Sequence, residues 1–287
     1  PFTEVTVADV EDWIDAEISD GSSAKSIRNW HGVLHSLMAY GQQRELLRPD
    51  NPCTATELPD VDHRAARQVR FFTEAEWSLF RAVLRDDVVL LCDYLLATGL
   101  RWGEVSALRV GDLTVKGSEV IAHIVRAWSG RSPDDPDPID WDAGEARVWK
   151  LGPPKNKRSR YVVVSGDVAR RLREHLAGRS TNEYVFTRRR QPWRYDGFHE
   201  DRWKPACTAV AKEIPGKRLT PHMLRHTCVV WALARGARIE QVSEMLGHGS
   251  IQITYDIYGG LLDLRDPSVA RAMAAAMSDT GTAEEGG

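Results

Sequence analysis

No run of about 18 apolar residues occurs in the 287-residue sequence, so no helix built from it is long and apolar enough to cross a bilayer. The first residues lack the basic start and apolar core of a signal peptide. The sequence opens on Pro1 rather than methionine, so it reads as a piece of a longer protein. Cysteine is scarce. Cys53, Cys92, Cys207 and Cys228 form no CxxC pair, which argues against a disulfide framework and for reduced, buried thiols in a cytosolic protein. His222 and His226 lie four apart with Cys228 nearby, but a fourth ligand and the glutamate of an HExxH motif are missing, so zinc is a poor reading. The sequence shows no internal repeat.

A strong net charge is also missing: the total is −3. That average conceals a division. Residues 1–65 carry 5 Lys/Arg against 12 Asp/Glu, whereas residues 147–226 carry 20 against 7. A surplus of thirteen positive charges in one segment points to a polyanion surface confined to part of the molecule.

What is present reads as two folded parts, mainly α with a small antiparallel β-sheet (an α+β chain). Residues 1–60 form a helical domain. "TVADVEDWIDAEI" spaces Val7, Val10, Ile14 and Ile18 at helical period, and the next helix does so with Ile27, Trp30, Val33, Leu34, Leu37 and Met38 behind an N-cap at Ser22 or Ser23. Residues 61–70 are a basic linker with Arg64, Arg67 and Arg70. Residues 71–287 form the second domain. It opens on a capping box, Thr73 with Glu76, and on Phe72 as a hydrophobic staple. "DDVVLLCDYLLATGL" is a buried helix closed by Gly99, after which "RWGEVSALRV" restarts as a helix. Three β-type runs follow, "SEVIAHIVRAW", "ARVWKL" and "RYVVV". An acidic, proline-rich loop parts the first two, and "GPPKNKRS" between the last two reads as a hairpin loop. Helices resume from Gly166, interrupted by a polar, aromatic-rich loop around "RRRQPWRYDGFHEDRWKP". The last element is an amphipathic helix, "DPSVARAMAAAM", which packs on its own domain or docks on a neighbouring copy.

Five short stretches carry chemistry: "ATGLRWGE" with Arg101 and Glu104, "PPKNKRSRYV" with Lys155, "PHMLRHT" with His222 and Arg225, "MLGH" with His248, and "TYDIYGG" with Tyr258. In this order and at these spacings the sequence resembles the tyrosine recombinases of the phage integrase family, over about residues 70–277. Met223 stands where many relatives have aspartate. The resemblance implies a helical core-type DNA-binding domain at 1–60 and a catalytic domain at 71–287. It also implies a site-specific DNA recombinase that cuts and rejoins duplex DNA through a 3′-phosphotyrosine and a Holliday junction, with no cofactor and no metal. The expected partners are double-stranded DNA attachment sites, three further copies in a tetramer on DNA, and host bending or excision factors. No membrane is expected, and the location is the bacterial cytoplasm at the nucleoid.

Residue types and roles agree. A phenol can attack phosphorus and conserve the bond energy. Two guanidiniums, Arg101 and Arg225, can clamp the non-bridging oxygens, and an ammonium, Lys155 or its neighbour Lys157, can protonate the leaving 5′ oxygen. His222 and His248 share protons or bond the phosphate, and Glu104 orients Arg101. Tyr258 follows His248 by ten residues, as the family's nucleophile does. Tyr255 is expected to pack, His226 to pack or cap near Arg225, and the double glycine to end the helix in a left-handed cap. Lys25, Arg28, Arg64, Arg67, Arg70, Lys157, Arg158 and Arg160 are the expected DNA contacts, with Asn29, Arg44 and Arg48 able to join Lys25 and Arg28 on one positive face. Two rivals share these motifs: a type IB topoisomerase that relaxes DNA, and an inactive DNA-binding protein on the same scaffold.

Overall fold

Two units emerge in the computed structural model, Pro1–Ala66 and Arg67–Gly287. Residues 3–43, 50–60, 70–130 and 149–259 are described. Arg44, Arg48, Arg64, Arg67 and the C-terminal amphipathic helix therefore lie outside the described residues.

In the first unit, α1 (Val7–Ser19) starts at a reciprocal cap between Thr6 and Asp9, and α2 (Ala24–Gln43) starts at Ser23, whose hydroxyl accepts from the Ser26 amide at 3.1 Å. Val10, Ile14, Ile27, Met38 and Cys53 form its core. The apolar stripe expected along α2 is split by the fold. Ile27 and Met38 turn inward, but Trp30, Val33 and Leu37 are exposed, and His31 takes the buried place with its Nε2 2.7 Å from Thr56 Oγ1. Arg28 is also reassigned. Its guanidinium donates to the carbonyls of Pro59 (2.9 Å) and Leu58 (3.3 Å), so it ties the end of this unit to α2 rather than standing free for DNA. Lys25 is exposed.

The second unit is built on α3 (Glu74–Val83), α4 (Asp86–Thr98) and α9 (His222–Ala234). Thr73 and Glu76 form the reciprocal cap of α3 at 3.2 and 2.7 Å, and Phe72 is fully buried behind it. Asp86 and Asp87 occupy the first turn of α4, where the helix dipole favours carboxylates. The helix is buried on nearly every side and ends at Gly99, whose φ of 61° only glycine adopts without strain. A side chain there would also strike Leu246, its Cβ 2.8 Å from Cδ2. This tight closure brings the α4 end against the turn after α10 (Ile239–Leu246).

The β region corrects two expectations. The first apolar run divides into β2 (Glu119–Ile124) and β3 (Ala127–Gly130), preceded by β1 (Leu113–Lys116). β4 (Trp149–Gly152) and β5 (Arg160–Val164) do not pair with each other; β4 pairs with β3 and β5 with β2, both antiparallel. Ile124 faces Arg160 and Ala127 faces Gly152, so residues 125–126 on one arm oppose residues 153–159 on the other. The surplus on the return arm leaves the ladder as the loop that carries Lys155, in the manner of an enlarged bulge. It is not a hairpin turn.

α6 (Gly166–Leu176) packs on β2 and α4. The expected loop around "RRRQPWRYDGFHEDRWKP" is instead a short hairpin and a helix. β6 (Thr187–Arg188) and β7 (Gln191–Pro192) meet at Arg189 and Arg190, both at positive φ. Next come α7 (Tyr195–Phe198), a π-helical turn over His199–Trp203 and α8 (Lys204–Ala209). The wider turn sets Phe198 and Trp203, five residues apart, on one buried face, with Trp203 4.6 Å from the Phe80 ring. The four cysteines are free, and among the described residues no helix is long and apolar enough to cross a membrane.

Candidate active site

Arg101 stands one residue past the buried Gly99-Leu100 pair, as the N-cap of α5 (Trp102–Ser106). Its backbone amide donates to Glu104 Oε2 at 2.9 Å, while its guanidinium reaches Glu104 Oε1 only at 3.4 Å. The stronger partner of Glu104 is Arg160, whose Nη1 and Nη2 donate to the two carboxylate oxygens at 3.0 and 2.8 Å. Both side chains are almost wholly buried. Burial pushes the Glu104 pKa up; the Arg160 fork, the Arg101 amide and the Arg101 charge outweigh it and hold it below the usual range. Arg160 is therefore not a DNA contact. β5 alternates, and Arg160, Val162 and Val164 share its inner face. Its Nε also donates to Met245 O at 2.8 Å, so one side chain braces Glu104 and the turn after α10 together.

Arg225, from α9, is buried and points into the same region. Its Nη1 donates to Gly99 O, and its Nη2 donates to Leu246 O and His248 Nε2, both at 3.0 Å. A guanidinium only donates, so His248 Nε2 accepts. The proton of the neutral ring then sits on Nδ1 and is donated to Thr254 Oγ1 at 2.7 Å. Burial first, then the charges of Arg225, Arg101 and Arg160, hold His248 down at about 4. His222, on the first turn of α9, is depressed likewise by burial, Arg225 and Arg101. Burial and the charge of Arg101 bring Arg225 itself down to about 10.

The loop at 153–159 is anchored by a residue that sequence reasoning missed. Asn156 Nδ2 donates to Gly247 O at 3.0 Å, and its Oδ1 accepts from the Arg158 amide at 3.2 Å. Lys155, Lys157 and Arg158 are exposed around it, and Lys157 has a φ of 56°. This asparagine fastens the lysine loop to the turn that carries His248.

Tyr258 closes α11 (Ile251–Tyr258) and is 2% exposed, packed with Val229, Val242 and Leu246. Tyr255 is 43% exposed. The expectation that Tyr255 packs is thus reversed: the buried member of the pair is Tyr258. Gly259 has φ −58°, so the helix does not end in a left-handed cap there. The Tyr258 hydroxyl lies 2.6 Å from His226 Nδ1, which gives His226 a contact that sequence reasoning did not foresee. Burial raises the phenol to about 12, with Arg225 pulling the other way.

Three guanidiniums thus converge on a single carboxylate. Glu104 is forked by Arg160 and met more loosely by Arg101 at 3.4 Å, so the three guanidiniums outnumber that one carboxylate by two charges. An excess of guanidinium charge of this kind suits an anion. Among the described residues no group of three or more His, Cys, Asp or Glu is placed to hold a metal.

Residues 134–263 match the model of the phage integrase family. The chain is 25% identical to the ICEBs1 integrase of Bacillus subtilis (strain 168) over 96% of its own length and 71% of the relative's. To the tyrosine recombinase XerD of Halalkalibacterium halodurans it is 27% identical, over 83% of this chain and 70% of the relative. In fold it is similar to the Tn1549 transposon integrase in complex with a circular intermediate DNA, with a TM-score of 0.69 at 17% identity over 96% of this chain and 87% of that one. It is also similar to the XerH site-specific recombinase bound to its difH substrate, at 0.61 and 15% over 94% and 70%. Residues 134–263 thus carry a phage integrase domain, and the relatives that the chain resembles along most of its length are integrases and tyrosine recombinases.

Proposed function

We propose that the protein cuts and rejoins duplex DNA with Tyr258 as nucleophile, through a 3′-phosphotyrosine and a Holliday junction, as one of four copies on two duplexes. The observation that supports this reading is the excess of guanidiniums over carboxylate at Glu104, with Arg225 near enough to the buried Tyr258 to pull its pKa down. A phosphodiester supplies the missing anion, and its two non-bridging oxygens suit two guanidiniums. In the transition state the charge on those oxygens grows, so the clamp binds it more tightly than the ground state.

The proton balance follows from the same geometry. At neutral pH a phenol held near 12 is un-ionised, and free phenolate would cost about 7 kcal/mol. The proton must therefore leave as the oxygen–phosphorus bond forms. His226 Nδ1 already lies on the hydroxyl and can take it, and His222 stands one helical turn before, its ring centre 4.8 Å from that of His226. The phosphorus–oxygen bond to the 5′ carbon breaks, and Lys155 gives the leaving oxygen its proton. His248 bonds Arg225 and holds its fork. Reversal, with a 5′ hydroxyl attacking the phosphotyrosine, reseals the strand. Lys25, Arg70, Lys157 and Arg158 are proposed phosphate contacts outside this centre. Double-stranded attachment sites are the substrate, host bending or excision factors are further partners, and the bacterial cytoplasm is the place of action.

The test is covalent trapping on a nicked suicide duplex, read as a shifted band on a denaturing gel. Wild type and Tyr255→Phe should form the adduct, and Tyr258→Phe should not. An adduct that persists in Tyr258→Phe refutes the assignment.

A further inference from the structure

Against α5, the helix that follows Arg101, the second unit opens into a cavity of about 560 Å³ lined in part by Trp102, Gly103 and Ser106. Its walls are aromatic to an unusual degree: Trp102, Trp128, Trp149, Tyr184, Trp193 and Tyr195. Four of the ten tryptophans of the sequence meet here. They come from three separate elements, α5, the β3–β4 pair and the segment after β7. The contact between two of these is close. A side chain at Gly103 would place its Cβ 2.3 Å from Trp128 O, so only glycine lets β3 lie this near α5. Trp149 is 42% exposed at the rim. The indole N–H of Trp128 is buried and has no hydrogen-bond partner among the described residues. A buried donor without an acceptor carries a cost, which an occupant with an acceptor edge removes.

Cationic side chains stand at the cavity and beside it. Among the described residues that line it there is no carboxylate, and Arg194 is one of them. Arg189 and Arg190 are exposed at the β6–β7 turn, directly before the lining residue Gln191. The Arg109 guanidinium lies 5.3 Å from the centre of the Tyr184 ring. Indole walls with a cationic rim suit a flat, polarisable group attached to an anion. Nucleobases on a phosphate backbone are that kind of group, and stacking on aromatic side chains within a basic groove is how unpaired bases are held. An acidic or purely apolar peptide would use only half of these features.

We propose that this cavity receives an unpaired nucleobase of the DNA, stacked among the tryptophans, with a base oxygen or ring nitrogen accepting from the Trp128 N–H. The inference rests on the strand-exchange reading above. Moving a strand from one duplex to another unpairs bases next to the cut phosphate. Trp102 follows Arg101 directly, so the cavity lies where such a base would emerge. Holding it there slows its return to the old partner, at a place separate from the phosphate clamp.

The test compares two fluorescent DNA probes of one sequence, a fully paired duplex and the same duplex with one unpaired 2-aminopurine. Anisotropy gives affinity, and 2-aminopurine emission reports stacking. Wild type should bind the bulged probe at least about fivefold more tightly and quench its emission. Trp149→Ala, a substitution at a part-exposed rim position, should remove most of both effects. Trp128→Phe, which keeps a ring and removes the N–H, should weaken the preference. Equal affinity for the two probes, or a preference that survives both substitutions, overturns the proposal. Its failure is separate from that of the recombinase reading. A Tyr258 adduct with no bulge preference sinks the cavity alone, and absence of the adduct in wild type sinks the recombinase reading and the inference resting on it.

Discussion

Arg160→Met is the substitution that most sharply separates an internal brace from a DNA contact. The structure gives the arginine three short hydrogen bonds, two to the Glu104 carboxylate and one to Met245 O, with 8% of its side chain exposed and 1% of its partner's. Methionine fills much of the same space but leaves Glu104 charged, buried and held only by Arg101. Removing one partner of a buried ion pair costs about 3–5 kcal/mol, chiefly through the stranded charge. For a unit of this size each kcal/mol lowers Tm by about 2–4 °C, so a fall of about 6–20 °C is expected in a thermal scan at neutral pH. Two further variants test the cause. Arg160→Met with Glu104→Gln should be more stable than Arg160→Met alone, because the stranded charge is gone. Arg160→Lys should recover only part of the loss, since one ammonium cannot fork across both oxygens.

The sign with pH follows. With Arg160 present, the carboxyl is held below its unfolded pKa, so its contribution exists above that value and is lost as pH falls through the folded one. In Arg160→Met, burial acts against fewer opposing charges and the folded pKa rises. The deficit against wild type should therefore shrink as pH falls and Glu104 takes up a proton. DNA binding supplies the refutation. A residue that touches a phosphate contributes about 0.9 to the slope of log affinity against log salt. If Arg160→Met leaves Tm within about 2 °C and lowers that slope by about one, the arginine meets DNA and the internal account is wrong.

Lys155→Ala should lose most cleavage on a normal 5′-oxygen substrate and regain it on a 5′-thio substrate, whose leaving group needs no proton; equal defects on both refute its role as the acid. Gly103→Ala should lower stability by about 1–3 kcal/mol because its new carbon meets backbone at Trp128 rather than a movable side chain, and an unchanged Tm would contradict the closeness of α5 and β3. His248 is held at about 4, against an unfolded value near 6.5, so the unfolded chain binds its proton first as pH falls through that window and stability is lost there. The imidazole is only half-buried, which reduces the full effect to about 1–2 kcal/mol. His248→Gln should flatten the pH dependence by that amount, and an identical profile in the variant refutes the buried neutral ring.

Much of this arrangement is legible in the sequence because it is local. The Thr73–Glu76 cap, the helix closed by Gly99 and the α9 helix that carries His222 and Arg225 each depend on residues within one or two turns. The partner of β4 is not legible, because it lies across the acidic loop and nothing in "ARVWKL" tells β3 from β5. The tyrosine pair shows a different limit. Tyr255 and Tyr258 sit 60° apart on a helix, and only the neighbours Val229, Val242 and Leu246 decide which turns inward. Arg160 is the instructive miss. Its place in a basic run suggested a surface, yet "RYVVV" read at a period of two already put it in phase with Val162 and Val164, on the face that burial requires. Asn156 gave no signal beyond being a turn-forming residue, and its role depends on a carbonyl 91 positions away.

The electrostatics of the centre explain why so few groups suffice. Arg225 is held at about 10, some two units below a free guanidinium, by burial and by the like charge of Arg101. Tyr258 is displaced in the opposite sense, toward keeping its proton. On the proposed mechanism one phosphodiester would relieve the first, its negative charge offsetting the repulsion between the guanidiniums. The second is relieved only as the phenol gives up its proton and bonds to phosphorus, when the new charge moves onto oxygens the same guanidiniums already hold. On that mechanism, binding and bond formation would draw on one pair of side chains in sequence. On the proposed mechanism, the phenol held neutral against His226 would stay unreactive until DNA brings a phosphate to the site.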